Sequence, residues 1–149
     1  MKNLSSFAAA LILMGIATTT APHAAYAQNK PINDHMGQMQ MMELGKTGKF
    51  KGVEVNGGFA TLYKMDNKFH LKWSDDFKIP GTPAPSWQVV DAQGNTYLLQ
   101  QLKIAGDKQN RDIVLPSYIK SVAKVQIWCS FAEVNLGEAS FAKAMTLAR

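Results

Sequence analysis

The residue best suited to chemistry in this 149-residue chain is Cys129, its single cysteine. It lies in the run Lys-Val-Gln-Ile-Trp-Cys-Ser-Phe over residues 124–131, where alternation places Val125, Ile127, Cys129 and Phe131 on one apolar face. Free cysteine is often buried as a small hydrophobic residue. A reactive thiol needs a lowered pKa and access, and this face of the run offers no Lys, Arg or His beside the sulfur. From the run alone, an inert core thiol and a reactive thiol both stay open.

A second candidate site is the methionine-rich stretch His-Met-Gly-Gln-Met-Gln-Met-Met at residues 35–42. Thioether and imidazole groups are ligands that suit copper. The candidate copper ligands are His35, Met36, Met39, Met41 and Met42. The alternative is a methionine-rich linker or one apolar stripe of a short helix, because Met39 and Met42 are one helical turn apart.

The remaining polar residues do not predict a conventional enzyme, although they leave the question of enzymatic activity undecided. His70 occupies the polar side of an alternating run, so we expect it to be a solvated surface residue. Asp75 and Asp76 are adjacent at a strand end, which favours a turn or capping role over acid–base catalysis. The serines lack the strand–turn–helix context of a nucleophile elbow.

The N-terminus has the layout of a secretory signal peptide. Lys2 precedes an apolar run at residues 7–16, and Ala25 and Ala27 offer the small residues that signal peptidase reads before Gln28. A membrane anchor would need roughly 20 apolar residues. We therefore predict a signal peptide at residues 1–27, a periplasmic or extracellular location, and no membrane span after cleavage.

Charge and cysteine content narrow the class of protein further. The net charge of +5 falls to +4 when Lys2 leaves with the signal peptide, and the charges are scattered rather than clustered. Scattered lysines are typical of solvated strand positions and do not predict a nucleic-acid partner. A mature chain of this length can bury a hydrophobic core large enough to fold without disulfides or metal ions. Its single cysteine excludes an internal disulfide.

The rest of the chain predicts one all-β domain. Residues 28–45 carry Pro, Gly and Gln with the methionine cluster, which indicates a flexible linker before a β domain at residues 46–149. Turn signals every eight to twelve residues favour a β-sandwich or a partly open barrel of about seven to nine antiparallel strands. The predicted strands cover residues 50–55, 58–64, 68–73, 87–90, 96–102, 113–115, 122–131 and 134–141, and the tail after 141 is open between helix and strand.

The Val-Gln-Ile-Trp-Cys run at 125–129, followed by Val134, Leu136, Gly137 and Ala139, resembles the C-terminal signature of the DM-13 domain family. Upstream, the Gly-Lys-Phe at 48–50, the run at 57–62 and the Leu-Lys-Trp-Ser-Asp-Asp-Phe at 71–77 resemble its first half. The similarity covers roughly residues 45–141. The chain departs from the family pattern at several positions, including Ala132, Leu136 and the Pro-Ala-Pro-Ser-Trp at 83–87.

The DM-13 family is an electron-transfer family, found beside DOMON domains and b-type cytochrome modules and as small exported proteins in bacteria. This chain resembles such an exported bacterial member. The resemblance implies a β-sandwich whose single cysteine takes part in redox chemistry, with Cys129 and Trp128 as the redox candidates. It also implies a membrane-bound redox or cytochrome-type partner, while it names no cofactor for this chain.

The leading expectation is therefore an exported redox or electron-transfer accessory module that uses Cys129. One alternative is a non-catalytic binding module with a structural core cysteine, in which the loop at residues 80–87, with Pro85 and Trp87, contacts a partner. A further alternative is copper handling through the methionine-rich segment.

Overall fold

Eight β-strands form two four-stranded sheets in the computed structural model, which describes residues 40–104, 106 and 108–148. All strand pairs are antiparallel, and the sheets do not close into a barrel, so the predicted all-β sandwich is confirmed. The first sheet has the order β1-β2-β3-β6 and the second the order β5-β4-β7-β8. The strands are β1 (Met42–Lys46), β2 (Ala60–Met65), β3 (Lys68–Trp73), β4 (Pro85–Val90), β5 (Thr96–Gln101), β6 (Asp112–Val114), β7 (Ser121–Cys129) and β8 (Val134–Thr146).

The β2–β3 hairpin shows how local sequence sets the register of the first sheet. Its two-residue turn consists of Asp66 and Asn67, both with positive φ, 48° and 59°. Two such residues match the right-handed twist of the flanking strands, and Asn and Asp tolerate this conformation better than other side chains. The turn places Leu62 opposite Leu71, and both are fully buried between the sheets.

A stack of aromatic rings joins the two sheets across the core. Trp73 of β3 and Trp87 of β4 lie with ring centroids 5.3 Å apart and planes inclined by 15°. Phe77 stacks on Trp73 at 5.2 Å and meets Phe50 edge to face at 5.2 Å. Such ring pairs stabilise the fold by about 0.5–1.5 kcal/mol each beyond their area burial.

Residues 50–55, predicted as a strand, instead form part of a loop that crosses β8. Phe50 and Val55 are buried as the pattern suggests, but Val53 is 77% exposed. The backbone of this loop makes individual hydrogen bonds to β8, such as the one from Val55 N to Leu136 O at 3.0 Å, instead of a regular ladder between strands. The crossing is close because two glycines, Gly52 and Gly137, face each other there.

Several element ends differ from the predicted ones. β1 begins at Met42, inside the stretch that the sequence assigned to a linker. β7 ends at Cys129, because the next four residues turn back with Glu133 at φ 53°. β8 continues to Thr146, so the C-terminal tail is a strand and not a helix. The predicted signal peptide and the linker up to residue 39 lie outside the described residues.

Candidate functional site

Cys129 is the last residue of β7 and points into the core. It lies opposite Pro85 of β4 and Val134 of β8, and none of its surface is exposed. The alternation that placed Cys129 with Val125 and Ile127 therefore holds. It fails for Phe131, which belongs to the turn after β7 and is 77% exposed.

The sulfur of Cys129 accepts one hydrogen bond, and three further donors influence its pKa. The backbone N–H of Ala132 donates to Sγ at 3.4 Å. This bond lowers the pKa of the thiol, and the backbone N–H groups of Phe131 and Ala84 and the hydroxyl of Thr82 lower it further, while burial acts in the opposite direction. Burial in apolar surroundings alone would raise the pKa of a cysteine. The donors therefore hold the pKa of this buried thiol below its ordinary value, against the effect of burial.

The hydroxyl of Thr82 differs from the backbone donors in its hydrogen bonding. Its Oγ1 is buried and has no hydrogen-bond partner of regular geometry in the described part of the chain. It nevertheless lies close enough to Cys129 to lower the pKa of the thiol. An unpaired buried hydroxyl costs about 1–3 kcal/mol. Because a hydroxyl rotates freely, it can turn its hydrogen towards a sulfur that becomes negatively charged or gains an oxygen.

Two short segments cover the sulfur from solvent. One is the turn at residues 130–133, whose four residues are all exposed, and the other contains Thr82 and Ala84. A backbone hydrogen bond from Ser130 N to Ala84 O at 3.2 Å ties the two segments together. Because none of the surface of Cys129 is exposed, a reagent can reach the sulfur only when the structure around it opens.

Trp128, the second redox candidate, lies on the opposite face of β7 from Cys129. It is half-buried on the outer face of the second sheet, opposite Ser86 and Asn135. The indole on the sulfur's own face is that of Trp87, which lies diagonally across the β4–β7 pair from Cys129. The structure thus does not bring Trp128 and Cys129 together.

The binding-module alternative expected Pro85 and Trp87 to lie in a loop that contacts a partner. The structure places them differently. Both residues belong to β4, and the side chain of Trp87 is fully buried, with Nε1 donating to Asn110 O at 2.9 Å. The strand predicted at residues 87–90 is present, and it begins two residues earlier, at Pro85. The β-branched and aromatic residues that follow Pro85 favour strand pairing on both sides.

The candidate copper ligands are only partly within the described residues. His35, Met36 and Met39 lie outside them, whereas Met41 and Met42 are 60% and 54% exposed. Among residues 40–104, 106 and 108–148, no group of three His, Cys, Asp or Glu side chains could hold a metal ion. Copper binding by the methionine-rich segment stays a prediction.

A polar cluster that the sequence analysis missed lies on the outer face of the first sheet. His70 is 9% exposed rather than solvated, and its ring stacks on Tyr63 with centroids 4.8 Å apart. Asp112 of β6 joins the two residues, because one carboxylate oxygen lies 3.1 Å from His70 Nδ1 and the other accepts a hydrogen bond from the Tyr63 hydroxyl. Burial and then Asp112 raise the pKa of Tyr63, so the phenol stays protonated and donates.

The pairing of His70 with Asp112 depends on a strand from a distant part of the chain, which is why local alternation could not reveal it. The two residues are separated by 42 positions in sequence. Asp75 and Asp76 behave as expected of turn residues: both lie in the turn after β3, where Asp76 accepts a hydrogen bond from the Ser74 hydroxyl and Asp75 pairs with Arg111.

No family model, no curated protein and no solved structure matches this chain. The likeness to the DM-13 family therefore rests on the motif residues themselves. One of them, Gly137, has a physical role, because a Cβ at this position would lie 2.6 Å from Val55 O. No helix in the described part of the chain is long and apolar enough to cross a bilayer.

Proposed function

We propose that the mature chain is an exported redox module in which the sulfur of Cys129 cycles between a reduced and an oxidised state. The observation that carries this proposal is the set of donors around the sulfur, namely the backbone N–H groups of Ala132, Phe131 and Ala84 and the hydroxyl of Thr82. The N–H of Ala132 forms a hydrogen bond to the sulfur, and all four donors lower the pKa of the thiol.

The chemistry that this arrangement supports is two-electron oxidation of the thiolate by a hydroperoxide. The Cys129 sulfur attacks the terminal peroxide oxygen, the O–O bond breaks, and hydroxide leaves when the reagent is hydrogen peroxide. Sulfur becomes a sulfenic acid and has lost two electrons. Two electrons and two protons from a redox partner then restore the thiol and release water. The membrane-bound or cytochrome-type partner implied by the DM-13 resemblance fits this second role.

This redox cycle requires that the turn at residues 130–133 opens. Because residues 130–133 are exposed and tied to Ala84 by one backbone hydrogen bond, this turn can open at lower cost than the strands beneath it. Opening gives a small oxidant or a docked partner access to the sulfur. Closure returns the N–H donors of Phe131 and Ala132 to the oxidised or ionised sulfur.

The test is oxidation of the folded protein by hydrogen peroxide, followed by a sulfenic-acid trap and mass spectrometry. We expect Cys129 to be trapped under native conditions, and the rate to fall in Thr82→Val, which removes the unpaired hydroxyl while keeping the shape of the side chain. Replacement of an unpaired buried hydroxyl by a methyl group should not destabilise the fold. Thr96→Val, at an exposed position of β5, is the matched control and should react as the parent does.

The proposal fails if trapping follows only the global unfolding of the protein, or if Thr82→Val and Thr96→Val react at the same rate as the parent. Either result would favour the second candidate, a binding module with a structural cysteine. The complete burial of Cys129 is the observation that favours that candidate. It predicts that Cys129→Ala folds and keeps every interaction of the parent protein.

A further inference from the structure

We propose that the outer edge of β5 pairs with the same edge of a second copy of this chain, so that the second sheets of two copies join into one. β5 is the outermost strand of that sheet, and within the described residues it pairs with β4 alone. An edge strand presents unpaired backbone N–H and C=O groups to which another strand can bond. Cys129 lies on β7, two strands away, and takes no part in this proposal.

The hairpin that joins β4 to β5 shows which backbone groups of the edge are free. The N–H of Asp91 donates to the carbonyl of Asn95 at 2.9 Å, so these two residues are a hydrogen-bonded pair. Hydrogen-bonded and non-hydrogen-bonded pairs alternate along an antiparallel ladder. Thr96 and Leu98 therefore belong to non-hydrogen-bonded pairs with β4, and their N–H and C=O groups point away from that strand.

The regular part of this edge is short, and it sets the register of the pairing. The register between β4 and β5 shifts after Leu98, and further along Asn110 donates its side-chain amide to Gln101 O at 2.6 Å. An antiparallel pair centred on Tyr97 uses the free groups, because it places Thr96 of each copy opposite Leu98 of the other. Each of these opposed pairs exchanges both of its backbone hydrogen bonds.

The side chains beside the edge are apolar and exposed. Leu98, on the outer face of the sheet, is 53% exposed. On the opposite face, the ring of Tyr97 lies 6.0 Å from that of Tyr118, which is 61% exposed. Pairing covers Leu98 on one face and brings the two copies of Tyr97 together on the other. Cross-strand pairs of aromatic and aliphatic side chains stabilise a sheet.

The charges favour a second copy over another kind of partner. Natural edge strands often carry a charge that discourages pairing, but residues 95–102 carry none. The first charged residues before and after this stretch are Asp91 and Lys103, which have opposite signs. Antiparallel pairing brings the Asp91 end of one copy to the Lys103 end of the other, and such complementarity fixes orientation. A strongly charged peptide finds no matching charge along the edge.

Symmetry and size define the expected assembly. Because both copies use the same edge, the pairing closes as a two-fold dimer and does not continue into a fibre. The paired segment is short, so we expect an interface below the roughly 1,200 Å² at which standard stable complexes begin. The dimer should therefore be weak and reversible, and should form at high protein concentration.

The first test is sedimentation velocity of the mature protein over a wide range of concentrations, with a reversible equilibrium between monomer and dimer as the expected result. Leu98→Pro removes an N–H that the single chain does not use, and proline is tolerated at such positions of edge strands. It should weaken association at least about tenfold, since each copy loses a donor.

Val114→Pro is the matched control. Val114 is an exposed apolar residue of β6, the edge strand of the first sheet. Its N–H also points away from the neighbouring strand, because the next residue, Leu115, donates its N–H to Phe69 O at 2.7 Å. This variant should dimerise as the parent does.

The second test is amide hydrogen exchange of the parent protein in dilute and in concentrated solution. We expect the N–H groups of Thr96 and Leu98 to exchange more slowly as the concentration rises. The N–H of Tyr97 faces β4 and should not change. Because this alternation is measured in the parent, it decides the question even if a proline variant loses its fold.

The proposal is overturned by a monomer at every concentration, by assemblies that grow beyond the dimer, or by protection that rises along β6 instead of at Thr96 and Leu98. Equal association of folded Leu98→Pro and Val114→Pro would overturn it as well. A Leu98 amide that is already protected in the dilute monomer would mean that another segment of the same chain occupies the edge, which also contradicts the proposal.

Discussion

The crossing of the loop at residues 48–58 over β8 gives a sharp test of the packing, through the substitution Gly52→Ala. A Cβ at Gly52 would lie 2.7 Å from Gly137 N, with Gly137 Cα and Leu136 O nearer still. All three are backbone atoms of β8, so they cannot rotate away. The loop must instead retreat by about 1 Å to reach ordinary contact distances.

The free-energy cost of moving the loop follows from the buried side chains and the hydrogen bonds that it contributes. Phe50 and Val55 are 1% and 2% exposed, and each buried side chain of this kind contributes about 1.5–3 kcal/mol. Backbone N–H groups of Glu54 and Val55 also donate to Leu136 O at 3.1 Å and 3.0 Å. Overpacking by one methyl group usually costs about 1–3 kcal/mol. Because backbone meets backbone here, we expect a loss in the free energy of unfolding at the top of that range, about 3 kcal/mol.

Urea unfolding followed by tryptophan fluorescence and circular dichroism measures this loss. Gly48→Ala is the matched control, because it lies in the same loop and a Cβ there would come no closer than 3.9 Å to Ser140 O. It should leave stability unchanged or raise it by up to about 1 kcal/mol, since alanine restricts the unfolded chain. A loss below about 1 kcal/mol in Gly52→Ala, or equal losses in both variants, would refute the close crossing.

Two further predictions concern polar groups on the outer faces of the sheets. The hydrogen bond from Lys124 is the main cause that lowers the pKa of Glu138 below its ordinary value of 4.5. The ionised Glu138 carboxylate therefore stabilises the fold above pH 4.5, and this stabilisation is lost as the pH falls through the folded-state pKa. Glu138→Gln should therefore weaken the acid dependence of the unfolding midpoint between about pH 6 and about pH 3, and an unchanged slope would contradict this. Tyr63→Phe removes the hydrogen bond to Asp112, whose side chain is 36% exposed and can be rehydrated, so urea unfolding should show a loss of about 1 kcal/mol. A loss above about 3 kcal/mol would mean that Asp112 is left without water.

The parts of the fold that sequence could predict are those with strong local patterns. Strict alternation defined β3 to the residue, and the strands predicted at 58–64 and 68–73 left a turn at residues 65–67, where Asp66 and Asn67 form it. The same reasoning placed Cys129 on the core face of β7. In each case neighbouring residues in the chain carried the whole signal, because side chains alternate between the two faces of a strand.

The parts that could not be predicted depend on contacts between distant segments. Residues 50–55 carry the apolar pattern of a strand, yet the close approach of Gly52 to Gly137 makes them a crossing loop. His70 is buried because Asp112 arrives from another strand. The donors around the Cys129 sulfur come partly from Thr82 and Ala84, about 45 residues upstream, and no local pattern connects them to the thiol.

The proposed redox cycle depends most on whether the donors around Cys129 stabilise its thiolate while the sulfur is buried. The direct measurement is the ultraviolet absorbance of the thiolate as a function of pH, in folded and in denatured protein, with Cys129→Ser subtracted as the blank. This readout needs no reagent to reach the sulfur, and the chain has a single cysteine, so the signal has one source. We predict a lower pKa in the folded protein than in the denatured chain. A folded-state pKa equal to or above that of the denatured chain would contradict the account.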